Sequence, residues 1–374
     1  MINALSALRG GGQTYLINLL NELKELNLDC KLIIITNKKN THIFEKYKSN
    51  NIELLELSFA SKNIFFRVLW ELIYLPIFLK KSQANSYFSP GGIMVTLIPT
   101  GCRSYTALRN MLPFDKKERQ RFPLFSYVRF KLWLLKHVFL LSYKMSDGVV
   151  FISNHSLAEV ENYIPNIKSK SQVIYHGINS SFLKKNTTSN ALPEYLAENQ
   201  YYLYVSILDV YKAQKEVVES WLRLNNQGNE FPLVLVGPKY NAYGEEVVEL
   251  IETSTQNNIK YLGPIEYNKL PMLYQNARAL IFASSCECCP NILLEKLASG
   301  KPVICSNIMP MPEFGKSSVV YFNPYEKGSL EASVNYLEKA GNLEKYSKLS
   351  QLRATNFNWR KTAKSTFDFL MNNK

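Results

Sequence analysis

The sequence predicts an α/β chain of two Rossmann-like, doubly wound domains, and three observations predict it. Short apolar runs alternate with amphipathic helical stretches from end to end, the pattern of parallel strands joined by crossover helices. At 374 residues and 46% hydrophobic content, the chain exceeds what one core usually supports. A polar, turn-rich stretch at 179–200, NSSFLKKNTTSNALPEYLAENQ, separates one such series from the next.

In the first series INALSAL (2–8) reads as a strand. Gly10-Gly11-Gly12 follows, then QTYLINLLNELKEL (13–26), with Leu16, Leu19, Leu20, Leu23 and Leu26 at helical spacing. CKLIIIT (30–36) is a continuous apolar run, as in a parallel strand covered on both faces. Later strands are expected at 86–89, 104–108, 147–153 and 171–177. The chain begins almost inside its first strand, so its start is either natural or short of a few upstream residues. The second series runs YYLYVSIL (201–208), PLVLVG (232–237), IKYLGPI (259–265), ALIFAS (279–284), PVICS (302–306) and VVYF (319–322). The expected boundaries are 1–182, completed by a closing helix at about 356–374, and 200–355. Ligands of such sheets sit outside the carboxyl ends of the strands, so chemistry is expected in the cleft between the domains.

The formal net charge of +13 favours an anionic partner: nucleic acid, anionic lipid or a phosphorylated small molecule. Six irregularly spaced cysteines and no visible signal peptide fit a reduced cytoplasmic setting. Cys286, Cys288 and Cys289 cluster without the paired knuckles of a zinc site, and His42, His137, His155 and His176 are scattered. Buried thiols are expected there, and no metal. No run reaches the ~18 apolar residues of a spanning helix. Two stretches, 64–81 and 122–144, interleave aromatic and aliphatic residues with charge: Arg67 and Glu71 in the first, Arg129, Lys131, Lys136 and Lys144 in the second. Each fits a helix packed on a sheet, and the second fits equally a helix lying on an anionic membrane surface.

The stretch SSCECCPNILLEKLASGKPV (284–303) carries the chemistry. A buried strand ends at Ser284, a turn holds Glu287, Pro290 suits a helix start, and Gly300 with Pro302 stops the helix. Free N–H groups over Pro290, Asn291 and Ile292 are expected to form an anion site at the strand-end crevice. Glu295, one turn inside the helix, suits the paired hydroxyls of a ribose, and Glu287 in the loop suits those of a sugar. Two acids at a given separation are commonplace by themselves. The strand–turn–Pro–helix–Gly–Pro frame gives these two a shared purpose.

This stretch resembles the E-x7-E signature of family four of the retaining glycosyltransferases, a GT-B group. The usual Glu-Gly-Phe-Gly opening is here Glu287-Cys288-Cys289-Pro290. The resemblance is clearest over about 200–325. It implies a GT-B fold, with an acceptor domain first and a nucleotide-sugar donor domain second. It also implies that Glu287 faces the donor sugar and Glu295 the nucleotide ribose. YVSILDVYKAQKEVVESW (204–221) is similar to the segment that supplies a lysine to the donor diphosphate; Lys212 is the match and Lys215 a weaker candidate. The arginine common near position 207 is replaced by Ile207, which puts more of the phosphate charge on Lys212. Ser206 and Gly237, at two strand ends of this half, are expected to touch the donor.

Arg9-Gly10-Gly11-Gly12-Gln13-Thr14 resembles the glycine-rich loop of the same enzymes, which implies close approach to the donor at Gly11 and Gly12. It is neither a dinucleotide fingerprint nor a Walker loop. Many relatives carry a cleft histidine where this chain has Arg109-Asn110. Arginine stays protonated and is no base, but same-face transfer needs none, since the departing diphosphate takes the acceptor proton while Arg109 and Lys212 stabilise its charge. Ser153, Asn154 and His176-Gly177-Ile178-Asn179 are expected to line the pocket. NFNWRKTAKSTFDFLMN (356–372) is similar to the closing helix of GT-B enzymes, with Trp359 and Phe367 as packing anchors.

The function implied is a retaining, metal-independent hexosyltransferase with no cofactor beyond the nucleotide diphosphate sugar. It would act on a glycan acceptor, lipid-linked, in the making of capsule, O-antigen or exopolysaccharide at the inner membrane face. The alternatives are a nucleotide-sugar epimerase of the same fold and a non-catalytic glycan- or membrane-binding homologue. Nucleic acid is not expected, because the basic residues are spread out and no recognition motif occurs.

Overall fold

The computed structural model describes the whole chain except residues 9, 24, 27–29, 60–62, 185–195, 197, 255, 257 and 372–374. Much of the turn-rich 179–200 stretch, and Arg9 of the glycine loop, therefore lie outside the described residues. The chain forms two compact units, one from Met1–Gly177 with Asn358–Lys374 and one from Ile178–Phe357.

Among the described residues the first unit holds seven strands: β1 (Ile2–Asn3), β2 (Leu32–Thr36), β3 (Ile52–Glu56), β4 (Ser86–Ser89), β5 (Arg103–Leu108), β6 (Gly148–Phe151) and β7 (Ser171–Val173). All pair in parallel, in the order β3-β2-β1-β4-β5-β6-β7. The described residues of the second unit hold six: β8 (Tyr202–Val205), β9 (Leu233–Val236), β10 (Ile259–Tyr261), β11 (Ala279–Phe282), β12 (Val303–Ser306) and β13 (Val320–Phe322). Their order is β10-β9-β8-β11-β12-β13, again parallel. The order in which strands are added reverses once in each sheet, between β1 and β4 in the first and between β8 and β11 in the second. Those two points are where doubly wound sheets open a crevice at the carboxyl strand ends. The doubly wound α/β expectation is met in both units.

Two departures from the sequence reading have local causes. The strand expected over 2–8 is only Ile2–Asn3. Beyond it Asn3 Oδ1 accepts the Leu5 N–H at 3.0 Å, while the Asn40 and Asn37 amides donate to the Ala4 and Leu5 carbonyls, both at 2.8 Å. Side chains thus replace the ladder and turn the chain away. β3 (IELLE) was not expected. It is an edge strand whose Glu53 and Glu56 are exposed, so its apolar signal is diluted.

The helix Trp359–Met371 belongs to the first unit. Trp359 and Phe367 are buried there, in one cluster with Leu16, Leu19 and Leu20 of the helix Gly11–Leu23. The chain passes so close to itself here that a Cβ on Gly177 would lie 2.2 Å from the Trp359 nitrogen. Gly177 is therefore required by this close packing. Other residues expected to line the pocket also have structural partners. Ser153 is fully buried and its hydroxyl caps the helix Asn154–Glu161 by accepting from Ser156 N–H. Asn154 donates to the Tyr175 hydroxyl at 2.6 Å, and His176 packs against the rings of Tyr15 and Trp359. In the second unit Ile178 is buried, and Asn179 caps the helix Ser180–Leu183.

Neither basic–aromatic stretch is a fully packed core helix. Residues 64–81 form a helix interrupted by a π-helical turn at Trp70–Tyr74, with Leu72, Ile73, Tyr74 and Ile77 exposed. The helix Tyr127–Met145 buries Leu132, Phe139, Ser142 and Tyr143 but exposes Tyr127, Phe130, Trp133, Leu134 and Leu141, and Phe125 just before it is 99% exposed. Among the described residues no helix is long and apolar enough to cross a membrane.

Candidate functional site

β8 and β11 are neighbours at the reversal point of the second sheet, with Leu203 opposite Leu280, so the loops leaving their carboxyl ends lie side by side. The loop after β8 brings Lys212 and the loop after β11 brings Glu287. These residues, 75 positions apart, meet: the Lys212 ammonium donates to Glu287 Oε1.

Lys212 is held by its surroundings. A short 3-10 turn, Val210–Lys212, starts at Asp209, whose own carbonyl accepts the Lys212 N–H at 2.8 Å. The Lys212 carbonyl accepts the buried Tyr204 hydroxyl of β8. The amine lies 4.7 Å from the Tyr211 ring centre and 5.7 Å from that of Phe282. Burial, with Glu287 and Asp209 adding to it, pushes the Tyr211 phenol far above its ordinary range, so Tyr211 stays neutral. Glu287 has a second partner, the Ser284 hydroxyl, which donates to the same Oε1 at 2.8 Å.

The helix Asn291–Ala298 follows, with Pro290 as its N-cap. The amide cradle is narrower than expected over 290–292. Pro290 has no N–H to give, and the Asn291 N–H is bound at 2.9 Å to the Cys289 carbonyl. The donors that remain in the first turn are Ile292 and Leu293, where no intrahelical acceptor exists. Cys286, Cys288 and Cys289 are buried beside Glu287, as expected of packing thiols. Among the described residues no group of three or more His, Cys, Asp or Glu is placed to hold a metal ion.

Glu295 is half-buried and accepts from the Tyr267 hydroxyl at 2.7 Å. Burial lifts its carboxyl from 4.5 to about 7, opposed by the Tyr267 hydrogen bond and the charge of Lys296. Lys296 itself is completely buried, and its amine has no hydrogen-bond partner among the described residues. It faces the Tyr274 ring at 4.8 Å and the Tyr204 ring at 5.8 Å, and burial brings its amine down from 10.5 to about 7. Sequence reasoning missed Lys296. It stands three residues after Leu293, on the apolar stripe, and that spacing was the signal. Ser284 and Tyr267 were missed as well, because only the fold brings them to the two carboxylates.

Ser206 is buried at the end of β8, its hydroxyl without a partner among the described residues. Gly237 follows β9 with φ +145°, and a Cβ there would lie 1.8 Å from the Ser206 carbonyl oxygen. The two backbones touch, so Gly237→Ala is expected to cost at least about 3 kcal/mol of stability, seen as a lowered urea midpoint. A variant as stable as the parent would mean that this loop relaxes freely. Lys215 is half-buried and pairs with Glu246 at 3.6 Å rather than with Glu287.

In the first unit the helix Gly11–Leu23 begins after β1, at that sheet's reversal point. A Cβ on Gly11 or Gly12 would meet nothing within 4 Å, so these glycines leave open space. Arg109, at the end of β5, donates to the Gly11 carbonyl at 2.5 Å and stacks on Tyr15 with 4.1 Å to the ring centre. Arg109 and Gly11, expected separately from the sequence, therefore meet.

Residues 190–352 match the family profile described as glycosyl transferases group 1. The chain is 28% identical over 142 residues to the O-antigen chain mannosyltransferase B of Escherichia coli, an overlap of 37% of each protein. It is 25% identical over 218 residues to the O-antigen chain mannosyltransferase RfbU of Salmonella typhimurium, covering 57% of this chain and 55% of that one. The matches thus span from just over a third to just over half the length of these curated relatives. Among solved structures, HepE of Anabaena, crystallised with UDP and glucose, superposes with a TM-score of 0.73 at 14% identity, covering 100% of this chain and 99% of that one. That likeness gives the fold its name, GT-B.

Proposed function

We propose that the protein is a retaining glycosyltransferase that moves a hexose-type sugar from a nucleotide diphosphate sugar to a hydroxyl of a lipid-linked glycan during surface-polysaccharide synthesis. The observation that carries this reading is the meeting of Lys212 and Glu287 at the reversal point of the second sheet. Glu295 stands in the helix Asn291–Ala298, which follows the loop that carries Glu287. A fixed cation, two carboxylates and a helix start suit a diphosphate flanked by two hydroxylated groups. The mannosyltransferase names of the partial relatives, and the UDP and glucose held by the structural neighbour, support the same class of donor.

In this reading Lys212 and the Ile292 and Leu293 amides hold the diphosphate, Glu295 accepts from the ribose, and Glu287 accepts from the sugar. As the bond to the anomeric carbon breaks, the bonding pair stays on the diphosphate oxygen. The acceptor hydroxyl attacks from the same face and passes its proton to that oxygen, so no protein base is required.

The site of work is the cytoplasmic side of an anionic membrane, and support comes from the exposed Phe125, Tyr127, Phe130 and Trp133 among basic residues. One set of assays tests both parts. UDP-, GDP- and dTDP-sugars are screened for a raised melting temperature, then for transfer with the anomeric configuration read by NMR, and co-sedimentation with phosphatidylglycerol vesicles is measured at low and high salt. One donor class is expected to stabilise the protein. Vesicle binding is expected to fall in Phe130→Ser/Trp133→Ser. If no nucleotide sugar stabilises or reacts, the reading is wrong, and an epimerised donor formed without acceptor turns it towards an isomerase.

A further inference from the structure

We propose that Glu287 is an electrostatic lid over Lys212, which an incoming diphosphate must lift, so that the site favours the sugar-bearing donor over the bare nucleoside diphosphate. The proposal rests on reading this as the donor site.

The two partners are unequal. The Lys212 side chain is 5% exposed and that of Glu287 is 16% exposed, so the carboxylate is the outer member of the pair. Lys212 is pinned through its backbone to Asp209 and Tyr204, and its amine is flanked by the Tyr211 and Phe282 rings. The lysine has little room to swing towards a ligand. An anion therefore reaches the amine by moving the carboxylate aside. Ser284, bonded to Glu287 Oε1 at 2.8 Å, is the anchor on which the carboxylate pivots once the ammonium is taken.

The consequence is a difference between two ligands that share the same phosphates. A bare nucleoside diphosphate takes Lys212 and leaves Glu287 with one hydroxyl partner beside a new negative charge. Like charges at that separation oppose binding. A nucleotide sugar takes Lys212 too, but its hydroxyls donate to the displaced carboxylate and replace the lost ion pair. Donor capture is thereby coupled to the presence of the sugar. Once the sugar has been transferred, the carboxylate competes again for Lys212 and helps expel the nucleoside diphosphate.

The test is calorimetric titration of the full chain with UDP, GDP and dTDP and with UDP-glucose, GDP-mannose and dTDP-glucose. The parent is compared with Glu287→Gln, Glu287→Ala, Ser284→Ala and Lys212→Met, each checked for fold by circular dichroism and melting. Glutamine keeps an oxygen for Ser284 while removing the charge. Glu287→Gln and Glu287→Ala are expected to bind the nucleoside diphosphate on the order of 10-fold more tightly than the parent, and the matching nucleotide sugar no more tightly. Ser284→Ala, which removes the one partner left to the displaced carboxylate, is expected to weaken binding of the bare diphosphate, and Lys212→Met to weaken binding of both ligands. If the parent binds nucleotides but both Glu287 variants bind the bare diphosphate equally or less well, the lid is overturned and the donor site stands. If none of the six ligands binds any of the proteins, the donor site falls and the lid with it.

Discussion

Lys212→Met is expected to lower sugar transfer by ~10²–10³-fold, about 3–4 kcal/mol of barrier, while the chain stays folded. In the proposed donor site the loss concentrates in the chemical step, because the diphosphate would gain charge as its bond to the sugar breaks and Lys212 would be the fixed cation facing it. Rigidity is what makes the residue effective. Its backbone is bonded to Asp209 and its amine is flanked by two aromatic rings, so little reorganisation is needed as charge develops. The cost to folding is smaller, about 1–2 kcal/mol, since Glu287 keeps Ser284 and remains partly open to water. Lys212→Arg is expected to recover little, because a planar fork does not fit the slot of a compact ammonium. Single-turnover rates with saturating donor, measured beside melting temperatures, separate the two effects. A Lys212→Met rate within about threefold of the parent would remove the lysine from the chemistry.

Lys296→Met is expected to stabilise the protein, by on the order of 2–4 kcal/mol at neutral pH. An amine that is wholly buried, without a hydrogen-bond partner among the described residues, resists protonation. In the unfolded chain it takes a proton up to about pH 10.5; in the folded chain it does so only below about 7. Between those values the unfolded state binds the extra proton, so parental stability rises as pH climbs from 7 towards 10.5, and the full penalty stands below 7. Glu295 acts in the opposite sense. Its folded carboxyl holds a proton up to about 7 where the unfolded one lets go near 4.5, so stability falls as pH rises through that window. The two limbs meet near neutrality, where both penalties are present together. Chemical denaturation from pH 4 to 10 is expected to show a shallow minimum there in the parent, and its alkaline limb is expected to vanish in Lys296→Met. The same substitution removes a charge that lowers the Glu295 carboxyl. With Glu295 holding the ribose as proposed, nucleotide binding is then expected to fade at a higher pH than in the parent. A flat stability profile in the parent would refute the account.

Most strands could be read from the sequence because they are covered on both faces and therefore nearly continuous in apolar residues. LVLV of β9 and ALIF of β11 are examples. β3 escaped because Glu53 and Glu56, on opposite faces of an edge strand, break up its apolar run, and β1 came out short because asparagine side chains take over its hydrogen bonding. At the site, residue types and local frame were legible: Glu287, Glu295 and Lys212 each stand beside a strand end or helix start. Their partners were not. Ser284 and Tyr267 are ordinary residues until the fold brings them to a carboxylate, and the Lys212–Glu287 contact spans 75 positions that no local pattern bridges. The expected amide cradle was overdrawn at Pro290 and Asn291, where one residue lacks a donor and the other spends it on Cys289.

The partnership of the helix Gly11–Leu23 with the helix Trp359–Met371 bears on how the protein is made. On a ribosome adding about 5–20 residues per second, the leucine face of the earlier helix waits from roughly twenty seconds to a minute for the segment that covers it. The unit encoded in the middle of the gene is complete before that segment emerges, and its two ends are already joined by the Ile178 N–H to Phe357 carbonyl bond. Released chains truncated after residue 357 should therefore carry a finished insert inside an unfinished host, the form on which chaperones would act.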